Sequence, residues 1–146
     1  MKRQKIHIYS DCSGIHIKPN SKPDYFRLGF VIYDPSLNFD LIKRVYQFRA
    51  EDFSYSTAKA EALACLIGMY YFDEYLGTSK YIPVLKFDCN FLGSIFLNKT
   101  NKSINTFDLT RELKKYQKKL APSLSMVSGK NNKAHNFIRS DVAQDI

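Results

Sequence analysis

The stretch Ile6-His7-Ile8-Tyr9-Ser10-Asp11-Cys12-Ser13-Gly14 decides how the chain folds. Large apolar residues alternate with others over its first four positions, and Ser13-Gly14 closes it. That pattern reads as a strand over residues 6–12 running into a turn. It puts Asp11 at the strand's end, anchored by a core yet open to solvent. A single carboxylate there is an ordinary turn former unless the rest of the chain brings others to it.

The residues that follow predict two further strands, over 25–33 and 39–48, joined by segments rich in Gly, Pro, Asn and Ser. Short connections of that kind make the three strands an antiparallel meander. The period then changes. Ser54-Tyr55-Ser56-Thr57 is a helix-start signal, and Glu61 falls in the first turn, where an acid is favoured. From Ala58 to Tyr75 apolar residues occupy most faces, so this helix should be central and largely buried. A fourth strand over 82–88 again ends on an aspartate, Asp88. With a helix before it, it can return parallel to the first strand through a right-handed crossover. A short helix over 91–97 and a polar loop over 98–105 come next. An amphipathic helix over 106–120 carries Arg111, Lys114, Lys115, Lys118 and Lys119 on its polar face. A fifth strand over 123–127, a loop over 128–133 and a closing helix over 134–145 complete the chain. The fold class is therefore α/β: a five-stranded mixed sheet, meander plus two parallel strands, flanked by helices.

The 146 residues fit one domain, 1–146, and the hydrophobic share of 45% is ample for a core. No uncharged apolar run is long enough to span a membrane, and the basic N-terminus leads into no signal-peptide core, so a cytoplasmic protein is expected. The three cysteines, Cys12, Cys65 and Cys89, are widely spaced. They argue against a disulfide scaffold or a structural zinc site. A formal charge of +8 favours a polyanionic partner, most simply nucleic acid.

Four acids fall at informative places: Asp11 and Asp88 at strand ends, Glu61 at a helix start, and Asp141 on the closing helix. If the first and fourth strands are parallel neighbours, both aspartates reach the carboxyl end of the sheet, where open α/β sheets bind ligands. Taken singly, each acid has an ordinary structural explanation. Taken together they imply a cation, because clustered carboxylates repel one another unless something positive sits among them. Carboxylate oxygens suit Mg²⁺ or Mn²⁺. Two such ions about 3.5–4 Å apart can activate a water and stabilise the leaving oxygen of a phosphodiester.

The order of these motifs resembles a type 1 ribonuclease H. Asp11-Cys12-Ser13-Gly14 is similar to that family's strand-one Asp-Gly-Ser. Ser56-Thr57-Ala58-Lys59-Ala60-Glu61-Ala62-Leu63-Ala64 is similar to its capped Ala-Glu-x-x-Ala helix start. Lys86-Phe87-Asp88-Cys89-Asn90-Phe91-Leu92 resembles Thr-Asp-Ser-x-Tyr-Val. The segment from His135 to Ala143 resembles the closing Asn-x-x-Ala-Asp-x-Leu-Ala. The resemblance implies a ribonuclease H-like fold and hydrolysis of the RNA strand of RNA–DNA hybrids, leaving a 5′-phosphate and a 3′-hydroxyl. It implies Asp11, Glu61, Asp88 and Asp141 as ligands of two Mg²⁺ or Mn²⁺ ions. Ser13, Ser56, Thr57 and Asn90 would lie near the substrate backbone, and a hydroxyl or amide there can read the 2′-OH. The chain is expected to work as a monomer with no obligate protein partner.

The sequence departs from the family pattern in several places. Cys12 replaces the usual glycine. Asn131 stands at the spacing of the family's loop histidine, and His135 lies nearer Asp141, where a proton-shuttle or product-release role is the expectation. The closing asparagine is displaced to Asn136 or lost. The chain has no tryptophan, so the tryptophan-rich basic protrusion of some members is missing, and Lys114, Lys115, Lys118 and Lys119 are its expected substitute. A non-catalytic nucleic-acid-binding module, or another nuclease of the same superfamily, remains the alternative reading.

Overall fold

A computed structural model describes residues 2–19, 21–97 and 108–140. Five strands form one sheet: β1 (Gln4–Ile15), β2 (Tyr25–Asp34), β3 (Phe39–Arg49), β4 (Tyr81–Phe87) and β5 (Ser123–Met126), in the order β3-β2-β1-β4-β5. The first three are an antiparallel meander, while β4 and β5 join as parallel strands beside β1. The helices are α1 (Thr57–Tyr75), α2 (Asn90–Phe96), α3 (Asp108–Leu120) and α4 (Lys133–Ser140). The expected polar loop over 98–105, the start of the basic helix and everything from Asp141 onward lie outside the described residues. No described helix is long and apolar enough to cross a membrane.

The alternation in β1 sorts its side chains between two layers. Ile6 and Ile8 join Phe30, Ile32, Leu85 and Phe87 beneath Cys65, Met69 and Phe72 of α1, forming the main core. Helices α2 and α3 close the same layer through Leu92, Ile95, Phe96, Leu113 and Leu120. On the other face Tyr9 and Val31 pack against Ala134 of α4. Two glycines permit this closeness. A Cβ on Gly68 of α1 would lie 3.0 Å from Ile8 Cγ2. One on Gly29 of β2 would lie 2.6 Å from Ile138 Cγ1 of α4.

One expectation needs correction. Asp11 does not end the first strand: β1 continues through Ser13 and Gly14 to Ile15, paired with Arg27, Phe26 and Tyr25 of β2. What ends near Asp11 is the pairing with β4, whose last matched pair is Tyr9 with Lys86. Antiparallel partnership on one edge thus carries β1 past the point where its parallel partner leaves. Ser13 accordingly lies within a strand and not in a turn.

Candidate active site

Asp11 and Asp88 meet where β1 and β4 part. Extending their parallel register by two residues would set Asp11 opposite Asp88. Asp11 shares the sheet face of Tyr9, the α4 side, and is only 4% exposed. Asp88 follows β4 and precedes α2. The loop after β5 comes close to it, since a Cβ on Gly129 would lie 3.5 Å from Asp88 Oδ2.

The third carboxylate arrives from the opposite layer. Ser56 caps α1, its Oγ accepting a hydrogen bond from the Lys59 amide at 3.2 Å. Glu61 is the fifth residue of that helix, in its second turn and not the first as expected, because the helix starts only at Thr57. Its Oε2 is buried without a hydrogen-bond partner among the described residues. Burial, followed by the negative charges of Asp11 and Asp88, pushes its carboxyl up to about 9. Asp88 is also raised, by burial and then by the charge of Asp11. Glu61 and Asp88, both hindered from ionising beside the charge of Asp11, make a site that lacks positive charge.

His135 reaches this cluster from α4. Its Nδ1 is 2.8 Å from Asp11 Oδ2. Asp11, Asp88 and His135 each offer one ligand atom, and these atoms lie within 4.8 Å of one another. The histidine is on the closing helix, as the sequence places it, with α4 starting at Lys133. The residue responsible is Asn132, which sequence reasoning passed over. It is fully buried. Its Oδ1 accepts from the Ala134 amide at 3.0 Å, capping α4, and its Nδ2 donates to the Ser10 carbonyl at 3.0 Å. It also lowers the Asp88 carboxyl, against the larger raising effects there. An asparagine just before a helix is a cap signal, and this one was legible on that ground.

The remaining predicted residues are spread more widely. Asn90 is exposed at the first position of α2, and Thr57 is exposed at the first position of α1. Cys12 points to the α1 layer, its sulfur 3.9 Å from the Thr57 carbonyl oxygen, away from the Asp11 face. Burial and then the charge of Glu61 push its thiol up. Lys114, Lys115, Lys118 and Lys119 are all exposed on α3, which packs on α1 and α2. Lys119 is held by Asp73 at 2.6 Å and Lys115 by Glu112 at 3.6 Å. No ion pair of Lys114 or Lys118 is found among the described residues.

The donor set suits a hard or borderline divalent cation. It comprises carboxylate oxygens, one imidazole nitrogen and a buried, unpartnered Glu61 oxygen whose ionisation a nearby positive charge would favour.

No protein-family model and no curated protein matches the sequence. Solved structures do match the fold. The RNase H1 of Halobacterium salinarum superposes with a TM-score of 0.71 at 15% identity, over 97% of this chain and 99% of that one. LC11-RNase H1, from a compost metagenome and solved with an RNA/DNA hybrid, gives 0.69 at 15% identity over 96% and 99%. The N-terminal RNase H domain of a Mycobacterium tuberculosis protein gives 0.69 at 12% identity over 97% and 98%. The chain therefore has a type 1 ribonuclease H-like fold.

Proposed function

We propose that this chain is a divalent-metal-dependent endoribonuclease that hydrolyses the RNA strand of RNA–DNA hybrids, leaving 5′-phosphate and 3′-hydroxyl ends. The observation that carries the reading is the convergence of Asp11, Glu61 and Asp88 where β1 and β4 part, with Glu61 Oε2 buried and unpartnered. Asp11, Asp88 and Glu61 would hold the cations, two per site, with Asp141 as a fourth acid by resemblance. Bound divalent ions would supply Lewis-acid activation of a water and neutralise charge at the phosphodiester.

The chain's own residues supply the positioning. Asp11 comes from a central strand, Asp88 follows directly on β4, and Glu61 comes from a capped helix, so the three are set by rigid elements. The exposed Asn90 and Thr57, with Ser56 next to Thr57 and Ser13 two residues after Asp11, offer groups able to read a 2′-OH. The lysines of α3 would meet the phosphate backbone. The RNA/DNA hybrid bound by LC11-RNase H1, a protein of the same fold, supports the choice of substrate. Working as a monomer in the cytoplasm is part of the same reading.

Labelled RNA–DNA hybrid, double-stranded RNA and double-stranded DNA, each with Mg²⁺, Mn²⁺ or EDTA, test it. Cleavage confined to the RNA of the hybrid and abolished by EDTA is expected. Hybrid binding without cleavage under any metal would make the chain a binding module instead.

A further inference from the structure

The metal-nuclease reading is built on carboxylates, yet an imidazole lies within hydrogen-bond distance of Asp11 in the described site. We propose that His135 is itself a ligand of this cation site, and that its nitrogen makes the site take a first-row transition ion such as Mn²⁺ in preference to Mg²⁺. The inference rests on the metal-site part of the proposed function and adds both a ligand and a selectivity to it.

The distance supports direct ligation. Neighbouring ligands of an octahedral ion with bonds of about 2.1 Å lie about 3 Å apart. Asp11 Oδ2 and His135 Nδ1 are 2.8 Å apart, with an Asp88 ligand atom in the same cluster. A cation between them would take the place of the proton now shared in that hydrogen bond. The neutral ring would then keep its single proton on Nε2.

The histidine is also held firmly. Asn132 ties the start of α4 to Ser10, the residue before Asp11. Ala134 is fully buried beside it, and Gly29 lets Ile138 seat against β2. The imidazole is therefore aimed by a docked helix, as a ligand should be. The sequence is compatible with this: in a register different from the one that ends on Asp141, Asn131-Asn132-Lys133-Ala134-His135 also fits the closing Asn-x-x-Ala-acid pattern, with His135 in the acid's slot.

The consequence is chemical. Mg²⁺ prefers oxygen ligands in near-ideal octahedral geometry and dehydrates reluctantly, whereas an imidazole nitrogen favours first-row transition ions over it, Mn²⁺ the least strongly of them. A site that contributes nitrogen should therefore separate Mn²⁺ from Mg²⁺ where an all-carboxylate site would do so less.

The test needs no nucleic acid. Full-length protein carrying ¹⁵N-labelled histidine, and its unlabelled counterpart, are loaded with sub-stoichiometric Mn²⁺ and measured by pulsed EPR. Mn²⁺ and Mg²⁺ affinities are measured by calorimetry. The expected result is a nitrogen coupling that changes with the isotope, and Mn²⁺ binding tighter than Mg²⁺ by about tenfold or more. His135→Ala should abolish the coupling and weaken Mn²⁺ by a similar factor. His135→Asp should bring the two affinities close to each other. Circular dichroism and thermal melting check that each variant folds. Absence of nitrogen coupling in the unmodified protein, or its persistence in His135→Ala, would overturn the proposal. If the protein cleaves hybrid but shows no such coupling, the ligand assignment alone fails. If coupling is present but no hybrid is cleaved, the nuclease reading alone fails.

Discussion

Removing divalent cations and raising the pH from 7.0 to 8.0 should destabilise this protein, and Glu61 sets the amount. Its carboxyl is pushed up to about 9 in the folded protein by burial and by Asp11 and Asp88, against about 4.3 in an unfolded chain. Between those values the folded state binds one more proton than the unfolded state, so stability falls as pH rises across the window. The slope for one proton is about 1.4 kcal/mol per pH unit. Asp88 is raised by the same causes, so it acts in the same direction. The chosen interval avoids the other shifted groups. His7 is lowered, mainly by burial, so its effect has the opposite sign, but that effect is complete below pH 7. The raised thiols of Cys12, Cys65 and Cys89 act with the same sign as Glu61, but mainly near and above pH 9. Urea titrations in EDTA should therefore show a loss on the order of 1 kcal/mol from pH 7.0 to 8.0. A cation in the site holds the carboxylates ionised, so saturating Mn²⁺ should flatten the slope. Glu61→Gln should flatten it without metal and be more stable than the unmodified protein at pH 8.0. A flat profile for the unmodified protein in EDTA, or an unchanged slope in Glu61→Gln, would refute the picture of three acids confined together.

Three further outcomes follow from the packing and the charge layout. Because Lys115 and Lys119 already have acidic partners, Lys114→Gln with Lys118→Gln should take more from hybrid binding than the other pair. The slope of log affinity against log salt should fall by roughly 1–2; an unaltered slope would place α3 away from the substrate. Gly29→Ala drives a methyl into Ile138. It should cost about 1–3 kcal/mol by denaturant titration and lower Mn²⁺ affinity by displacing α4; full stability would contradict the described seating of that helix. Asn132→Ala removes a cap and a buried hydrogen bond to Ser10. A loss of about 2–3 kcal/mol is expected, and a loss under 0.5 kcal/mol would count against the role given to that side chain.

The strand and helix order was legible because periodicity reports which face of an element is buried, and this sheet buries most of both. The candidate set Asp11, Glu61 and Asp88 followed from that order, since topology alone sets the end of β4 beside the part of β1 that carries Asp11. The true length of β1 was less legible. Whether a strand continues past a polar residue depends on its partner, and β2 continues to pair as far as Ile15. Arg27 illustrates a related difficulty. A charge within a strand reads as a solvent-facing residue, yet Arg27 is 1% exposed because α4 covers it and the Ile138 carbonyl accepts from its guanidinium. His135 falls on the closing helix in the sequence as in the structure, but the residue that caps that helix, Asn132, lies in a run of polar residues resembling a loop. Gly29 gave no signal at all: only the approach of Ile138 shows why a side chain is excluded there.

The most direct measurement is a single-turnover cleavage assay on an RNA–DNA hybrid with an end-labelled RNA strand, comparing the unmodified protein with Asp11→Asn and Asp88→Asn in Mn²⁺. The account predicts internal cuts in the RNA strand by the unmodified protein and loss of them in both variants, with thermal melting showing that both remain folded. Cleavage that persists in either folded variant would contradict the assignment of the site to Asp11 and Asp88.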